Sequence, residues 1–184
     1  MKRMTDIMLS LTLLVLLSPI LVATMLVILT SSGKPIFFRQ TRVGLYGREF
    51  GMYKFRSMVI NAASTGPYFT QDNDPRITRV GRFIRRTSID ELPQIINVVI
   101  GDMSLVGPRP DVPEQQALYS SKDWAQRCSV RPGITGLAQV KGRSELAWAL
   151  RLELDLTYAS QASWWLDVKI MWWTLSQLGG KQAN

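Results

Sequence analysis

Residues 85–94 have the sequence RRTSIDELPQ, which places two arginines directly ahead of two adjacent carboxylates at the start of a helix. The helix is indicated by apolar residues at the offsets of one face, Leu92, Ile95, Ile96, Val99 and Ile100. Gly101 supplies a stop. Ser88 with Glu91 has the pattern of a capping box. A cap there would leave Pro93 inside the helix, where proline removes a hydrogen bond, so a start closer to Pro93 also fits.

With either start, Asp90 and Glu91 lie at the positive end of the helix dipole. One interpretation is structural, because acids are favoured in the first turn of any helix. The other is a site for phosphate chemistry. Amides at a helix start bind phosphate, arginines hold phosphate oxygens by paired hydrogen bonds, and a carboxylate can attack phosphorus to give a covalent intermediate. A second carboxylate can hold Mg²⁺, which proteins bind through one or two carboxylates together with substrate phosphates.

The composition narrows the chemistry that is available. The 184 residues suit one domain with a small appendage. They are 46% hydrophobic yet carry a net charge of +8, which indicates a polyanionic partner such as nucleic acid or an anionic membrane surface. A single cysteine, Cys128, and no histidine exclude an intrachain disulfide, the common zinc sites, and Ser-His-Asp or Cys-His catalysis.

The N-terminal segment is predicted to be a permanent membrane element. Between Arg3 and Lys34 its only charge is Asp6, and its length exceeds the roughly 20 apolar residues that cross a bilayer. Ser18-Pro19 interrupts it near the middle, where proline bends a helix. Both flanks are basic, whereas a spanning helix carries its basic excess on one side. Two interpretations stay open: a helix that enters, breaks at Ser18-Pro19 and returns to the cytoplasmic face, or an ordinary kinked spanning helix.

Residues 35–86 are predicted to contain a hairpin and a surface helix. Two short β-like runs, 36–40 and 50–55, flank the turn-rich residues 44–47, which indicates a hairpin or a pair of extended arms. Residues 77–86 interleave arginines with apolar side chains, as in an amphipathic helix that lies on a membrane. This helix leads directly to Asp90.

Two loops after the central helix are candidates for ligand contact. In residues 101–110, prolines on both sides of Arg109 would present its guanidinium from a stiff backbone, as recognition of a pyrophosphate requires. Residues 131–136 form a second Gly- and Pro-rich turn ahead of Gly142-Arg143, and its glycines would allow a ligand to approach the backbone closely.

The C-terminal residues 145–178 are predicted to be helical. Trp164-Trp165 and Trp172-Trp173 are eight residues apart and fall on nearly the same helix face. Tryptophan favours the headgroup level of a bilayer, although aromatic stripes also occur in packed cores. The basic charge and the N-terminal segment favour docking at the interface.

Together these motifs resemble the small bacterial sugar transferases, also called monotopic phosphoglycosyl transferases. The matching motifs span nearly the whole chain in the order of the family: Ser18-Pro19, residues 54–58, 87–94, 101–110 and 131–136, Gln139-Val140, Gly142-Arg143, and residues 155–158. Each motif alone is weak evidence for the family, and only the complete set of motifs is specific for it.

The resemblance implies a reaction, a cofactor and a location. A sugar 1-phosphate would pass from a UDP-sugar to undecaprenyl phosphate, releasing UMP, through a covalent enzyme intermediate that initiates glycan assembly. Asp90 would be the nucleophile and Glu91 the partner that helps hold Mg²⁺. The enzyme would lie at the bacterial inner membrane with its catalytic domain on the cytoplasmic face, in contact with membrane lipids.

The resemblance also assigns the remaining site residues and the architecture. Ser18-Pro19 would be the break of a re-entrant membrane helix, residues 1–33, followed by a catalytic domain, residues 34–184. Arg109 would lie near the phosphates, and Arg86 and Arg143 would contact phosphate or nucleotide. The expected fold is α+β and mainly helical, with a short β-hairpin and amphipathic interfacial helices around the active site.

Three other functions would each explain part of the sequence. A nucleic-acid-binding protein would explain the charge, but the aromatic residues cluster in membrane-like segments and no recognised binding motif occurs. A membrane scaffold would explain the anchor but not the clustered arginines and carboxylates. A membrane-anchored, Mg²⁺-dependent hydrolase of nucleotide-diphosphate sugars shares the logic of the site and is the strongest alternative. It would use water in place of the lipid acceptor.

Overall fold

The computed structural model describes residues 1–62, 65–66, 74–142 and 146–179. The helices are α1 Lys2–Ser32, α2 Arg79–Arg86, α3 Gln94–Ile100, α4 Ser121–Arg127, α5 Leu137–Gly142, α6 Trp148–Gln161 and α7 Trp164–Gly179. The strands are β1 Phe37–Val43, β2 Glu49–Phe55, β3 Ser104–Val106 and β4 Gly133–Thr135. Short 3₁₀ turns lie at Leu45–Gly47, Ile89–Glu91 and Pro113–Leu118. The mainly helical α+β fold predicted from the sequence is confirmed.

Helix α1 is long and apolar enough to cross a membrane, by length and composition. Its 31 residues correspond to about 46 Å at 1.5 Å per residue. The helix is continuous across Ser18 and Pro19, and the Ser18 hydroxyl donates to the Val15 carbonyl at 2.7 Å. Any change of direction at Pro19 therefore takes place within helical backbone.

The N-terminal end of α1 is fastened to the rest of the chain by charged side chains. Asp6 is buried and accepts hydrogen bonds from the Ser104 hydroxyl at 2.8 Å and the Leu105 amide at 3.3 Å. The Arg3 guanidinium donates to the carbonyls of Val98 and Val99 at 2.6 and 2.9 Å, at the C-terminal end of α3. A cation there satisfies carbonyls that lack a partner within the helix.

Lys2 adds a third contact, because its ammonium pairs with Asp167 of α7. Asp167 also accepts a hydrogen bond from the Tyr158 hydroxyl at 2.7 Å. The other end of α1 packs on the same domain. Ile28 is buried in a cluster with Phe55 and Ile84.

The predicted hairpin is confirmed. Strands β1 and β2 pair antiparallel, from Phe37 opposite Phe55 to Val43 opposite Glu49. The hairpin also holds the end of α1, since the Arg56 guanidinium donates to the carbonyls of Ser32 and Gly33 at 2.6 and 2.8 Å. Lys54 and Arg56 thus lie where the hairpin meets the rest of the domain.

Helix α2 confirms the helix predicted within residues 77–86. The Thr78 side chain caps it by accepting from the Gly81 amide at 2.8 Å. Ile84 packs inward, whereas Phe83 is exposed. The helix therefore buries one apolar side chain and presents another.

The start of the central helix follows the second of the two predicted possibilities. Pro93 precedes the first residue of α3, and Gly101 ends it with φ of 105°. Ser88 has left-handed backbone angles, φ 57° and ψ 15°, and its side chain does not cap the 3₁₀ turn that follows. The capping box suggested by Ser88 and Glu91 therefore does not form.

The predicted apolar face of the central helix is wrong in part. Of the predicted face only Ile95 is buried, whereas Ile100 is 57% exposed. The other buried residues of α3 are Gln94, Asn97 and Val98. Polar tertiary contacts account for the rotation of the buried face.

Asn97 makes those contacts with the hairpin. Its side-chain oxygen accepts from the Tyr53 amide at 2.9 Å, and its amide donates to the Gly51 carbonyl at 2.9 Å. Periodicity of apolar residues cannot reveal a buried amide that bonds to another element.

The two loops that were expected to contact ligands pair with each other. Strands β3 and β4 are parallel, with Ser104 opposite Gly133. The Gly107 amide donates to the Thr135 carbonyl at 2.9 Å, and a Cβ on Gly107 would lie 2.2 Å from the Arg131 carbonyl oxygen. The close approach that these glycines permit is thus between two backbones, which fixes the loop before Arg109.

The C-terminal segment forms two helices, because α6 ends at Gln161 and α7 begins at Trp164. Tyr158 and Ile170 contribute to the main core with Val98, Met103 and Val106. The tryptophans of α7 remain on the surface at exposures of 37–70%: Trp164, Trp165, Trp172 and Trp173. The alternative of a packed core stripe is therefore wrong for these side chains.

Candidate active site

Asp90 and Glu91 occupy the 3₁₀ turn that leads into α3, directly after the left-handed Ser88. Asp90 is 8% exposed. Burial raises the pKa of Asp90, and the negative charge of Glu91 raises it further, while Lys54 and Arg85 act in the opposite direction. The carboxylate is thus poorly solvated within a cationic site.

Glu91 is held by two cations from distant parts of the chain. Its Oε1 accepts from Lys54 Nζ at 2.9 Å and from Arg109 Nη2 at 2.6 Å, and Arg109 Nη1 lies 3.4 Å from Oε2. Burial alone would raise the pKa of Glu91, but the charges of Arg109 and Lys54 outweigh it and lower the pKa to about 2. Glu91 is therefore ionised at any physiological pH.

Strand β2 supplies Lys54, where it is paired with Phe38 of β1. Burial lowers the pKa of the Lys54 ammonium, although Glu91 partly offsets this. The sequence analysis did not assign Lys54 to the site. Its occurrence in the motif 54–58 was the available signal.

Arg109 projects from a loop whose backbone is held on both sides. Arg127 donates to the Arg109 carbonyl, and Arg42 Nη1 donates to the Pro110 carbonyl at 2.8 Å. The Arg109 side chain remains 39% exposed, so it can reach a ligand. These hydrogen bonds fix the backbone that carries the Arg109 guanidinium, as the Pro-Arg-Pro sequence predicts.

Beneath this loop Arg127 forms a buried charge network that the sequence did not predict. Its Nε donates to Asp155 at 3.0 Å, and its Nη1 lies 2.9 Å from Asp111. Asp111 also pairs with Arg151 at 3.3 Å and accepts from the Tyr119 hydroxyl. Asp155 lies in a family-like motif, but nothing in the sequence around Arg127 marked it.

Arg42 adds a further cation to this surface. Burial and the nearby charge of Arg109 lower the pKa of Arg42 to about 10. Its Nη2 donates to the Gln40 side chain at 2.8 Å. Arg42, Lys54 and Arg109 together give the region around Glu91 an excess of positive charge, which suits a polyanionic ligand.

The other predicted arginines lie in different settings. Arg86 is exposed at the end of α2, and its neighbour Arg85 is the arginine whose charge lowers the pKa of Asp90. Arg143 lies outside the described residues. Ser18 and Pro19 are exposed in the middle of α1, away from this site in the sequence.

The carboxylate oxygens of this site suit a hard cation that is bound together with a ligand. Within the described ranges no three acidic, histidine or cysteine side chains come together. Asp90 and Glu91 offer carboxylate oxygens, and Oε2 of Glu91 is engaged only at 3.4 Å by Arg109. Mg²⁺ is commonly bound by one or two carboxylates plus phosphates, so these residues fit it.

Comparison with known proteins identifies a family and several relatives of this chain. The model of the bacterial sugar transferase family matches residues 1–181. The chain is 43% identical to the uncharacterized sugar transferase EpsL of Bacillus subtilis, over 100% of this chain and 92% of the relative.

Other relatives are longer than this chain. It is 43% identical to a UDP-glucose:undecaprenyl-phosphate glucose-1-phosphate transferase of Escherichia coli, over 95% of this chain and 39% of that protein. It is 44% identical to a UDP-N-acetylgalactosamine-undecaprenyl-phosphate N-acetylgalactosaminephosphotransferase of Aeromonas hydrophila, over 95% of this chain and 42% of that protein. The family match over almost the whole length and these identities lead to one conclusion: the chain belongs to the bacterial sugar transferase family.

Proposed function

We propose that this protein transfers a sugar 1-phosphate from a UDP-sugar to undecaprenyl phosphate and releases UMP, thereby initiating the assembly of a bacterial glycan. The observation that carries the proposal is a buried Asp90 beside Glu91, which Lys54 and Arg109 hold with hydrogen bonds of 2.9 and 2.6 Å. The choice of acceptor is supported by the names of two relatives, both of which include undecaprenyl phosphate.

The reaction proceeds in two displacements at one phosphorus. In the first, a carboxylate oxygen of Asp90 attacks the phosphorus that carries the sugar, and the bond from that phosphorus to the bridging oxygen breaks, so that UMP leaves with the electron pair. In the second, a phosphate oxygen of undecaprenyl phosphate attacks the same phosphorus and the bond to Asp90 breaks. The carboxylate is regenerated and the product is a lipid diphosphate sugar.

A covalent intermediate suits the charges of the two substrates. The donor and the acceptor are both anionic, and a two-step reaction brings them one after the other into the same cationic site. Arg109 is exposed enough to bind phosphate oxygens while its backbone stays fixed by Arg127. Arg86 and Arg143 are assigned to phosphate or nucleotide contacts as part of the same proposal.

Glu91 has two roles in this proposal. In the structure it orients Lys54 and Arg109. It also would hold Mg²⁺ with the substrate phosphates, and the metal when bound would neutralise charge that develops on the phosphate oxygens. Its low pKa keeps the carboxylate available for both roles.

The proposed anchor is a re-entrant helix formed by residues 1–33, with residues 34–184 as the catalytic domain on the cytoplasmic face of the inner membrane. Support comes from the two ends of α1, since Asp6 bonds to Ser104 near one end and Ile28 packs on Phe55 near the other. Contacts of both ends of α1 with one domain support an anchor whose ends lie on the same side of the bilayer.

The test is a reconstitution with purified protein, Mg²⁺, undecaprenyl phosphate and a panel of UDP-sugars. One UDP-sugar is expected to give UMP and lipid diphosphate sugar in equal amounts, and EDTA is expected to stop the reaction. Release of UMP together with free sugar 1-phosphate, at a rate independent of the lipid, would contradict the transferase and identify a hydrolase.

A further inference from the structure

Gln94 carries a buried amide that the fold leaves without a hydrogen bond. Its residue exposure is 3%, and its Nε2 has no hydrogen-bond partner within the described part of the chain. Burying an amide donor without a partner costs on the order of 1–3 kcal/mol, and native proteins rarely retain such a group without a use for it. The position of Gln94 indicates what that use is.

Gln94 is the first residue of α3 and lies four residues after the proposed nucleophile. Leu92 has φ −56° and ψ −35°, and Pro93 has φ −60° and ψ −16°, so the helical backbone continues from the turn that holds Asp90 into α3. Residues four apart are neighbours on a helix surface. Because side chains in a helix lean toward its N-terminus, we expect the Gln94 carboxamide to face the turn that holds Asp90.

Asn97, one turn further along α3, is a second buried amide of the same helix, but its polar atoms have partners. Asn97 is fully buried, yet its oxygen accepts from the Tyr53 amide, and its Nδ2 donates to the Gly51 carbonyl at 2.9 Å and to Asp102 at 3.1 Å. The same helix therefore satisfies one buried amide completely and leaves the donor of the other without a partner.

We propose that Gln94 is a catalytic residue that donates a hydrogen bond from Nε2 to a phosphoryl oxygen of the sugar phosphate as it is transferred to Asp90. This inference rests on the function proposed above and adds a residue to its site. A neutral donor fixed before the substrate arrives stabilises charge that develops on the oxygen without any reorganisation. The amide keeps both protons, and the bonds that form and break remain those of the two displacements.

Replacing Gln94 is expected to lower the activity of the enzyme without lowering its stability. Gln94→Met retains the length of the side chain and removes the unpartnered donor, so its Tm is expected to equal or exceed that of the wild type. Its rate of UMP release in the first displacement is expected to fall on the order of 100-fold, as when one donor to a developing oxyanion is removed. Gln94→Glu is expected to be slower still, since it places a negative charge beside the phosphate.

Asn97→Leu is the matched control. It removes a buried amide of the same chemical type, but one with three partners, and it is expected to lower the Tm. The comparison separates a donor that serves the reaction from a donor that serves the fold.

The experiment measures the single-turnover rate of UMP release and the mass of the phospho-sugar adduct, with the full-length protein in detergent and a UDP-sugar but no lipid. The expected result is slow adduct formation by Gln94→Met at an unchanged or higher Tm. Equal rates for wild type and Gln94→Met would overturn this inference and leave the proposed function intact. A Tm lowered as far as that of Asn97→Leu would likewise overturn it, because Gln94 would then be structural. A wild type that forms no adduct would overturn both proposals.

Discussion

At the scale of single residues, Glu91 shows how two cations keep a partly buried carboxylate ionised. Lys54 and Arg109 lower its pKa from an ordinary 4.5 to about 2. A carboxylate whose pKa is lowered on folding contributes stability above its unfolded pKa, and that contribution is lost as the pH falls from about 4.5 toward 2. The ion pairs of Glu91 therefore predict acid sensitivity in a defined window.

We expect Glu91→Gln to remove part of this acid sensitivity. The wild type should lose at most about 3 kcal/mol more than the variant between pH 5 and pH 2, since each pKa unit corresponds to about 1.4 kcal/mol. Thermal unfolding of both proteins in the same detergent across this range measures the difference. Parallel profiles of Tm against pH would show that Lys54 and Arg109 do not hold Glu91 as described.

Arg127 is expected to be more important for stability than its neighbour Arg151. Arg127→Met leaves Asp111 and Asp155 buried without their shared cation, which typically costs about 3–5 kcal/mol. Arg151→Met removes the more exposed of the two arginines on Asp111, which keeps Arg127 as a partner, so the expected loss is about 1 kcal/mol. Unfolding by heat or denaturant gives both values. Equal losses would mean that the network does not centre on Arg127.

The residues of the site that the sequence predicted are those marked by local patterns. Asp90 and Glu91 stand at a helix start, and Arg109 stands between two prolines. Lys54 and Arg127 were missed because their role depends on partners far away in the chain, 37 residues from Lys54 to Glu91 and 28 from Arg127 to Asp155. No local spacing encodes such pairs.

At the scale of elements, helix α1 is attached at both ends, and this predicts its topology. Tags fused at Met1 and at Asn184 should both be accessible only from the cytoplasm. Asp6 and Ile28 are buried against the domain near opposite ends of the helix. Protease protection in sealed vesicles measures the location of each tag. A periplasmic tag at Met1 with a cytoplasmic tag at Asn184 would contradict the re-entrant anchor.

The matched variant for this prediction is Pro19→Leu. Proline within a helix costs roughly 3 kcal/mol, so its replacement should favour a straight, spanning helix and move the N-terminal tag across the membrane in part of the molecules. Ser18→Ala, which leaves Pro19 in place, is the control and should keep both tags on one side.

Elements were predictable to the extent that their patterns are local. The hairpin and α2 follow from alternation and amphipathicity in short windows, and both are present. Strands β3 and β4 were not predicted because each has three residues and exists through its pairing across about 30 residues. The buried face of α3 was misplaced because Asn97 bonds to the hairpin, which apolar periodicity does not report.

At the scale of the whole molecule, the net charge of +8 and the exposed tryptophans of α7 predict a membrane-facing surface. In bilayers with bromine-labelled lipids, the fluorescence of a variant that keeps only Trp172 should be quenched. A variant that keeps only Trp124, which is 8% exposed, should be quenched much less. Equal quenching, or none at Trp172, would place α7 away from the lipid.

The central claim is that Asp90 carries the sugar phosphate, and one mass measurement tests it most directly. Protein mixed with its UDP-sugar and Mg²⁺, without lipid, should release up to one equivalent of UMP and gain the mass of a phospho-sugar at Asp90. Asp90→Asn should fold, do neither, and unfold at a Tm close to that of the wild type. Added undecaprenyl phosphate should discharge the adduct. UMP released only when lipid is present, with no adduct on the protein at any time, would contradict the account in favour of direct attack by the lipid phosphate.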